Sequence, residues 1–89
     1  MNMTSRFSQR IRLRHLHAFV ATAQQGTLVR AAQQLGITQP ALSKTLNELE
    51  SLAGERLFSR SRQGAELTAA GARFLQDAGR VLDALNVLG

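Results

Sequence analysis

Gln39, Pro40, Ser43 and Lys44 carry the spacing in this chain that is most suited to chemistry. At about 100° per residue Pro40, Ser43 and Lys44, with Asn47, share one side of a helix, and Gln39 stands at its N-terminal end. Leu42, Leu46 and Leu49 share the other side. A carboxamide, a hydroxyl and an ammonium on one solvent-facing strip are equipped for hydrogen-bond recognition, not for bond breaking. The Gln39 amide has the shape that pairs with adenine N6 and N7, and Pro40 presents apolar surface suited to a thymine methyl. Ser43 can meet a base or a phosphate, and Lys44 can meet guanine O6/N7 or a phosphate. Taken alone, Ser43 and Lys44 also read as an ordinary solvated face, and Gln39 as a capping residue.

The rest of the inventory narrows the chemistry. The chain has two histidines and no cysteine. His15 and His17 point to opposite sides of a helix with no acidic partner nearby, so a zinc site is not expected. No acidic pair falls at a plausible cleft, so an enzyme is not expected either. No cofactor is called for. The apolar runs are too short to span a bilayer, and the basic start lacks the continuous apolar core of a secretory signal.

Eleven Lys and Arg oppose six Asp and Glu, a net charge of +5 over 89 residues. Nine of those eleven cations lie in residues 1–62, against Glu48, Glu50 and Glu55. A small basic domain with one-sided charge fits a polyanion, although solubility alone also explains charge. The arginines are spread over loops and helix ends, which argues against a membrane-surface helix.

Several elements must position the strip. Residues 1–12 show little periodicity and read as a flexible basic arm. Leu16, Phe19, Val20 and Ala23 then make one helical stripe, ended by Gly26. Thr27 starts a short helix whose inner face is Leu28, Ala31, Ala32 and Leu35. Gly36 makes a sharp turn, and Ile37 is expected to plug the corner. Thr38 caps a third helix with Pro40 in its first turn, running to about Leu52. Glu48 and Glu50 are read as lying further along its outward side. Leu57–Phe58 and Ala65–Leu67 are strand candidates, joined through Gly64 into a two-stranded wing with Arg60 and Arg62 at or near its tip. Thr68 begins a last helix.

In that helix Phe74, Ala78, Val81, Leu85 and Leu88 step by four, three, four and three. This is a coiled-coil-like seam, with Leu75 and Leu82 as a second apolar line. The spacing is compatible with a core helix of one subunit or with a dimer contact, and the double stripe favours the dimer. The fold class is therefore mainly α: a winged helix-turn-helix of three helices and a two-stranded wing over residues 13–67, then a long linker helix over residues 68–89.

The combination "AFVATAQQGTLVRAA", "TQPALSKTLNELE", "LFSR" and "LTAAG" resembles the DNA-binding domain of the LysR-type transcriptional regulators. The likeness runs from about Leu13 to the end. It implies sequence-specific binding of double-stranded DNA by a bacterial, cytoplasmic regulator, with the third helix in the major groove. Gln39, Pro40, Ser43 and Lys44 would face bases. Thr27, Arg30, Thr38 and Arg60 would face phosphates, and the wing around Arg62 would approach the minor groove. Thr38 stands where the family usually has Ser, and Lys44 where it often has Arg, which gives up the bidentate fork. The last helix would form the family's antiparallel dimer pair, using Phe74, Ala78, Val81, Leu82 and Leu85, on an interrupted inverted repeat. A small-molecule effector would act only through a C-terminal domain that this sequence is expected not to include.

Overall fold

The computed structural model describes residues 10–61 and 64–88. Most of the expected arm, residues 1–9, lies outside them, as does Arg62. Among the described residues four helices of two turns or more and one hairpin follow in order: α1 (Leu13–Gln25), α2 (Leu28–Leu35), α3 (Gln39–Ala53), β1 (Phe58–Ser61), β2 (Gly64–Leu67) and α4 (Ala69–Leu88).

The helix boundaries have local causes. The Thr27 hydroxyl accepts the Arg30 N–H at 3.2 Å, and the Thr38 hydroxyl accepts the Ala41 N–H at 3.2 Å. Each satisfies a first-turn donor that would otherwise lack a partner. Between α2 and α3, Gly36 takes φ +70°, a conformation that a Cβ disfavours. The corner is closed by backbone: the Gly36 N–H reaches the Gln33 carbonyl at 3.2 Å, and the Ile37 N–H reaches that of Ala32 at 3.1 Å. Ile37 itself is exposed and does not plug the corner. Two helix-end hydrogen bonds do that work without a side chain.

Phe19, Leu42 and Leu49 are completely buried, with Leu46, Leu57 and Phe58 within 1% of it. The apolar faces of α1, α2 and α3 meet there. Phe19 is the hub of an aromatic trio, with ring centroids 5.1 Å from Phe58 and 5.0 Å from Phe74. The Phe74 ring stands edge-on to Phe19, a preferred geometry for aromatic quadrupoles.

β1 and β2 pair antiparallel, Phe58 opposite Leu67 and Arg60 opposite Ala65. Strand pairing begins at Phe58, so Leu57 precedes the strand and is packed in the core. Thr68 joins the wing to α4: its hydroxyl donates to the Arg56 carbonyl at 2.7 Å and accepts the Gly71 N–H at 3.0 Å.

Candidate nucleic-acid interface

Gln39, Pro40 and Lys44 are exposed and Ser43 is half-buried; Pro40, Ser43 and Lys44 lie on the side of α3 opposite the buried leucines, while Gln39 is the first residue of the helix. Pro40, Ser43, Lys44 and Asn47 line one open face together with Glu48 and Ser51. Three of the four candidate base-facing residues thus share one face, and Gln39 stands at the start of the same helix. Thr38 caps that helix, so its first-turn N–H groups open toward the same end.

A second surface adjoins it. The Ala65 N–H of β2 donates to the Gly26 carbonyl at 3.0 Å, which stitches the wing to the turn before α2. A Cβ on Gly64 would stand 2.5 Å from that same carbonyl oxygen, so only glycine permits the approach. The result is a cleft of about 350 Å³ whose walls include Thr27, Arg30, Gln39, Arg60 and Ser61. Three of the four candidate phosphate residues are therefore gathered around Gln39. Thr38 is exposed beside them, at the start of α3.

Arg60 lies on β1 opposite Ala65, next to the Ser61–Gly64 pair that ends the hairpin ladder, and its guanidinium is engaged. Its Nη1 donates to Asn47 Oδ1 at 3.1 Å, and its Nη2 reaches Glu50 Oε1 at 3.4 Å. The guanidinium is bound back to α3 because a carboxylate waits there. Glu50 is buried, and its Oε2 accepts the N–H groups of Leu57 at 2.7 Å and Phe58 at 3.1 Å. The sequence reading had put Glu50 on the outward side. The signal against that was available: Glu50 follows Leu46 by four residues, about 40° round the helix, and so belongs beside the leucines.

The other end of the site is held by α1. His15 is buried, and its Nδ1 accepts the Arg12 N–H at 2.8 Å. Nε2 then carries the ring proton and faces Glu48 Oε1 at 3.4 Å. Arg14 reaches the same oxygen at 3.4 Å. Among the described residues no group of His, Cys, Asp or Glu is placed to hold a metal ion.

Residues 13–72 match the family described as "Bacterial regulatory helix-turn-helix protein, lysR family". The chain belongs to the LysR family. It is 68% identical over 89 residues to the uncharacterized HTH-type transcriptional regulator YdcI of Escherichia coli (strain K12), covering all of this chain and 29% of that protein. It is 43% identical over 77 residues to the transcriptional regulator PcaQ of Agrobacterium fabrum, covering 86% of this chain and 25% of PcaQ. The chain thus spans less than a third of the length of these relatives.

Among solved structures, the DNA-binding domain of CbnR in complex with DNA superposes with a TM-score of 0.85 at 39% identity, over 89% of this chain and 91% of that one. The BenM DNA-binding domain on its benA site 1 DNA gives 0.84 at 33% identity, over 88% of each chain. The winged helix-turn-helix of the LysR DNA-binding domains is therefore the architecture of this chain.

In this LysR-family chain α4 divides the predicted seam. Ala78 is buried, and Phe74, Leu75 and Leu82 pack on the domain's own core. Val81 and Leu85 are exposed at 45% and 39%, and Val87 and Leu88 more so. Phe74, Ala78 and Val81 also line a cleft of about 500 Å³ against Ile11, Leu13 and Leu16 of the α1 region. No helix among the described residues is long and apolar enough to cross a membrane.

Proposed function

We propose that this chain is the sequence-specific, double-stranded-DNA-binding unit of a bacterial transcriptional regulator and has no enzymatic role. The observation that carries this reading is the outward face Pro40–Ser43–Lys44, with Gln39 exposed at the helix start, on a helix whose opposite face is buried leucine. An α-helix fits the major groove, and residues near its N-terminal end reach base edges. Gln39 pairs with adenine, Pro40 packs on a thymine methyl, and Ser43 and Lys44 complete the contact. Thr27, Arg30 and Thr38 meet the adjoining phosphates, and Arg60 adds its charge while held by Glu50 and Asn47. Arg62 is the residue assigned to the minor groove.

α4 joins two subunits. Val81 and Leu85 are the exposed part of the contact, and Phe74, Ala78 and Leu82 form its floor beside the α1 cleft. A two-fold protein dimer then matches an interrupted inverted repeat. Such a regulator works in the cytoplasm, where the chromosome is. Any small-molecule effector acts through chain beyond these residues. The relatives' names as transcriptional regulators and the CbnR and BenM complexes with DNA support the reading.

The test is selection of bound duplexes from a random library with the 89-residue chain. The expected product is an inverted repeat with T and A at its borders. Recovery of an unenriched pool would remove sequence-specific recognition.

A further inference from the structure

The open face of α3 has two flanks. Asn47 and Glu48 are consecutive, and so lie about 100° apart around the helix. Asn47 is bonded to Arg60 of the wing, and Glu48 to Arg14 of α1. Arg60 of the wing also reaches Glu50, about 160° round α3 from Glu48, so the wing and the start of α1 stand on opposite sides of the strip. The Glu48 side carries its own basic surface: Arg10, Arg12 and Arg14 line a shallow cleft with Glu48 and Ser51. Those last two residues also belong to the open face with Ser43 and Lys44, so the two surfaces are continuous. Arg10, Arg12 and Arg14 are all exposed.

A major groove of ~12 Å width is filled by one helix, so a phosphate ridge runs along each side of that helix. Thr27, Arg30 and the wing stand at one ridge. We propose that Arg10, Arg12 and Arg14 grip the sugar–phosphate strand at the other ridge. This rests on the DNA-binding reading and extends it to a surface that begins before residue 13, where the family match starts. Two features suit the surface to an anion. Glu48 is the one acidic residue in the cleft, and Arg14 and the His15 Nε2–H both engage its Oε1. The bond from the Arg12 N–H to His15 Nδ1, at 2.8 Å, fixes the arginine-bearing segment to a buried side chain. The cations are thus presented from a held backbone next to α3.

The experiment compares the parent chain with Arg10→Gln/Arg12→Gln, Arg10→Lys/Arg12→Lys and Gln39→Ala, each checked for an unchanged thermal melt. Affinity for a selected duplex and for a random duplex is titrated across a salt series. Each phosphate contact contributes about 0.9 to the slope of log K against log salt. The glutamine pair is expected to lower the slope by about 2 and weaken both duplexes alike. The lysine pair should keep the slope. Gln39→Ala should relax base choice and keep the slope. A parent slope in the glutamine pair, with Gln39→Ala still relaxing base choice, overturns the grip and leaves the DNA-binding reading standing. A parent chain with no salt-dependent binding to any duplex overturns both.

Discussion

Glu50 Oε2 accepts the backbone N–H of Leu57 at 2.7 Å, and so ties α3 to the entry of the wing. The same oxygen takes the Phe58 N–H, and the other carboxylate oxygen faces Arg60. One buried side chain thus sets the distance between the base-reading helix and the wing. Removing one partner of a buried charged pair costs more than the pair contributes, because the remainder is left unsatisfied.

Glu50→Ala is accordingly expected to destabilise the chain by about 3 kcal/mol, near the lower end of the range for breaking a buried pair. Glu50→Gln keeps one acceptor oxygen for the two N–H groups and should lose roughly half as much. Urea denaturation of the three proteins measures this. Equal stability for all three would mean that the carboxylate is dispensable to the wing.

The two glycines of α4 should respond in opposite directions. A Cβ on Gly71 would collide with the Leu57 carbonyl and crowd Leu67, so Gly71→Ala should cost about 1–3 kcal/mol. A Cβ on Gly79 meets nothing within 4 Å. Gly79→Ala should therefore gain about 0.5–1 kcal/mol from helix propensity alone. Thermal melts of the two variants decide it, and a shift of the same sign in both would contradict the close approach at Gly71.

Much of this was legible in the sequence. Apolar spacing marked all four helices, and the glycines and threonines marked their ends, because those signals are local. What was hidden depends on contacts distant in sequence. Whether Arg60 is free or bonded depends on Glu50, ten residues earlier and on another element. The step of four and three through Phe74 and Ala78 fits a core stripe as well as a subunit seam. Only the position of Phe19 shows that Phe74 serves the core. Ile37 looked like a plug because a lone isoleucine in a turn is usually buried, but here the backbone closes the turn.

The exposed end of α4 carries the dimer prediction. Val81→Glu with Leu85→Glu places two charges on each subunit where the helices are proposed to meet, while the core residues Phe74 and Ala78 are untouched. Sedimentation and titration on duplexes with one and two half-sites should show loss of cooperative binding to the two-site duplex only. Parent behaviour on both duplexes would make α4 a core helix and nothing more.

Arg30 and Arg60 should separate by mechanism. Arg30 is exposed, so Arg30→Ala should reduce the salt slope by about 1 with little change in melting. Arg60→Ala removes a comparable contact and also takes away the less exposed of the two arginines at the buried Glu50 carboxylate, leaving Arg56 at 3.6 Å, so it should lower the melting temperature as well. Salt-series titrations paired with melts distinguish them. Unchanged slopes in both would take the α2–wing cleft out of the interface.

The most direct test is the base preference of Gln39→Ala, measured by titrating parent and variant against the selected duplex and against duplexes substituted at each position of one half-site. If α3 reads bases, the variant loses about 1–3 kcal/mol on the selected duplex and its discrimination collapses at one position per half-site, with the others intact. An equal loss on every duplex would make Gln39 a backbone contact and contradict the assignment of this helix face to base recognition.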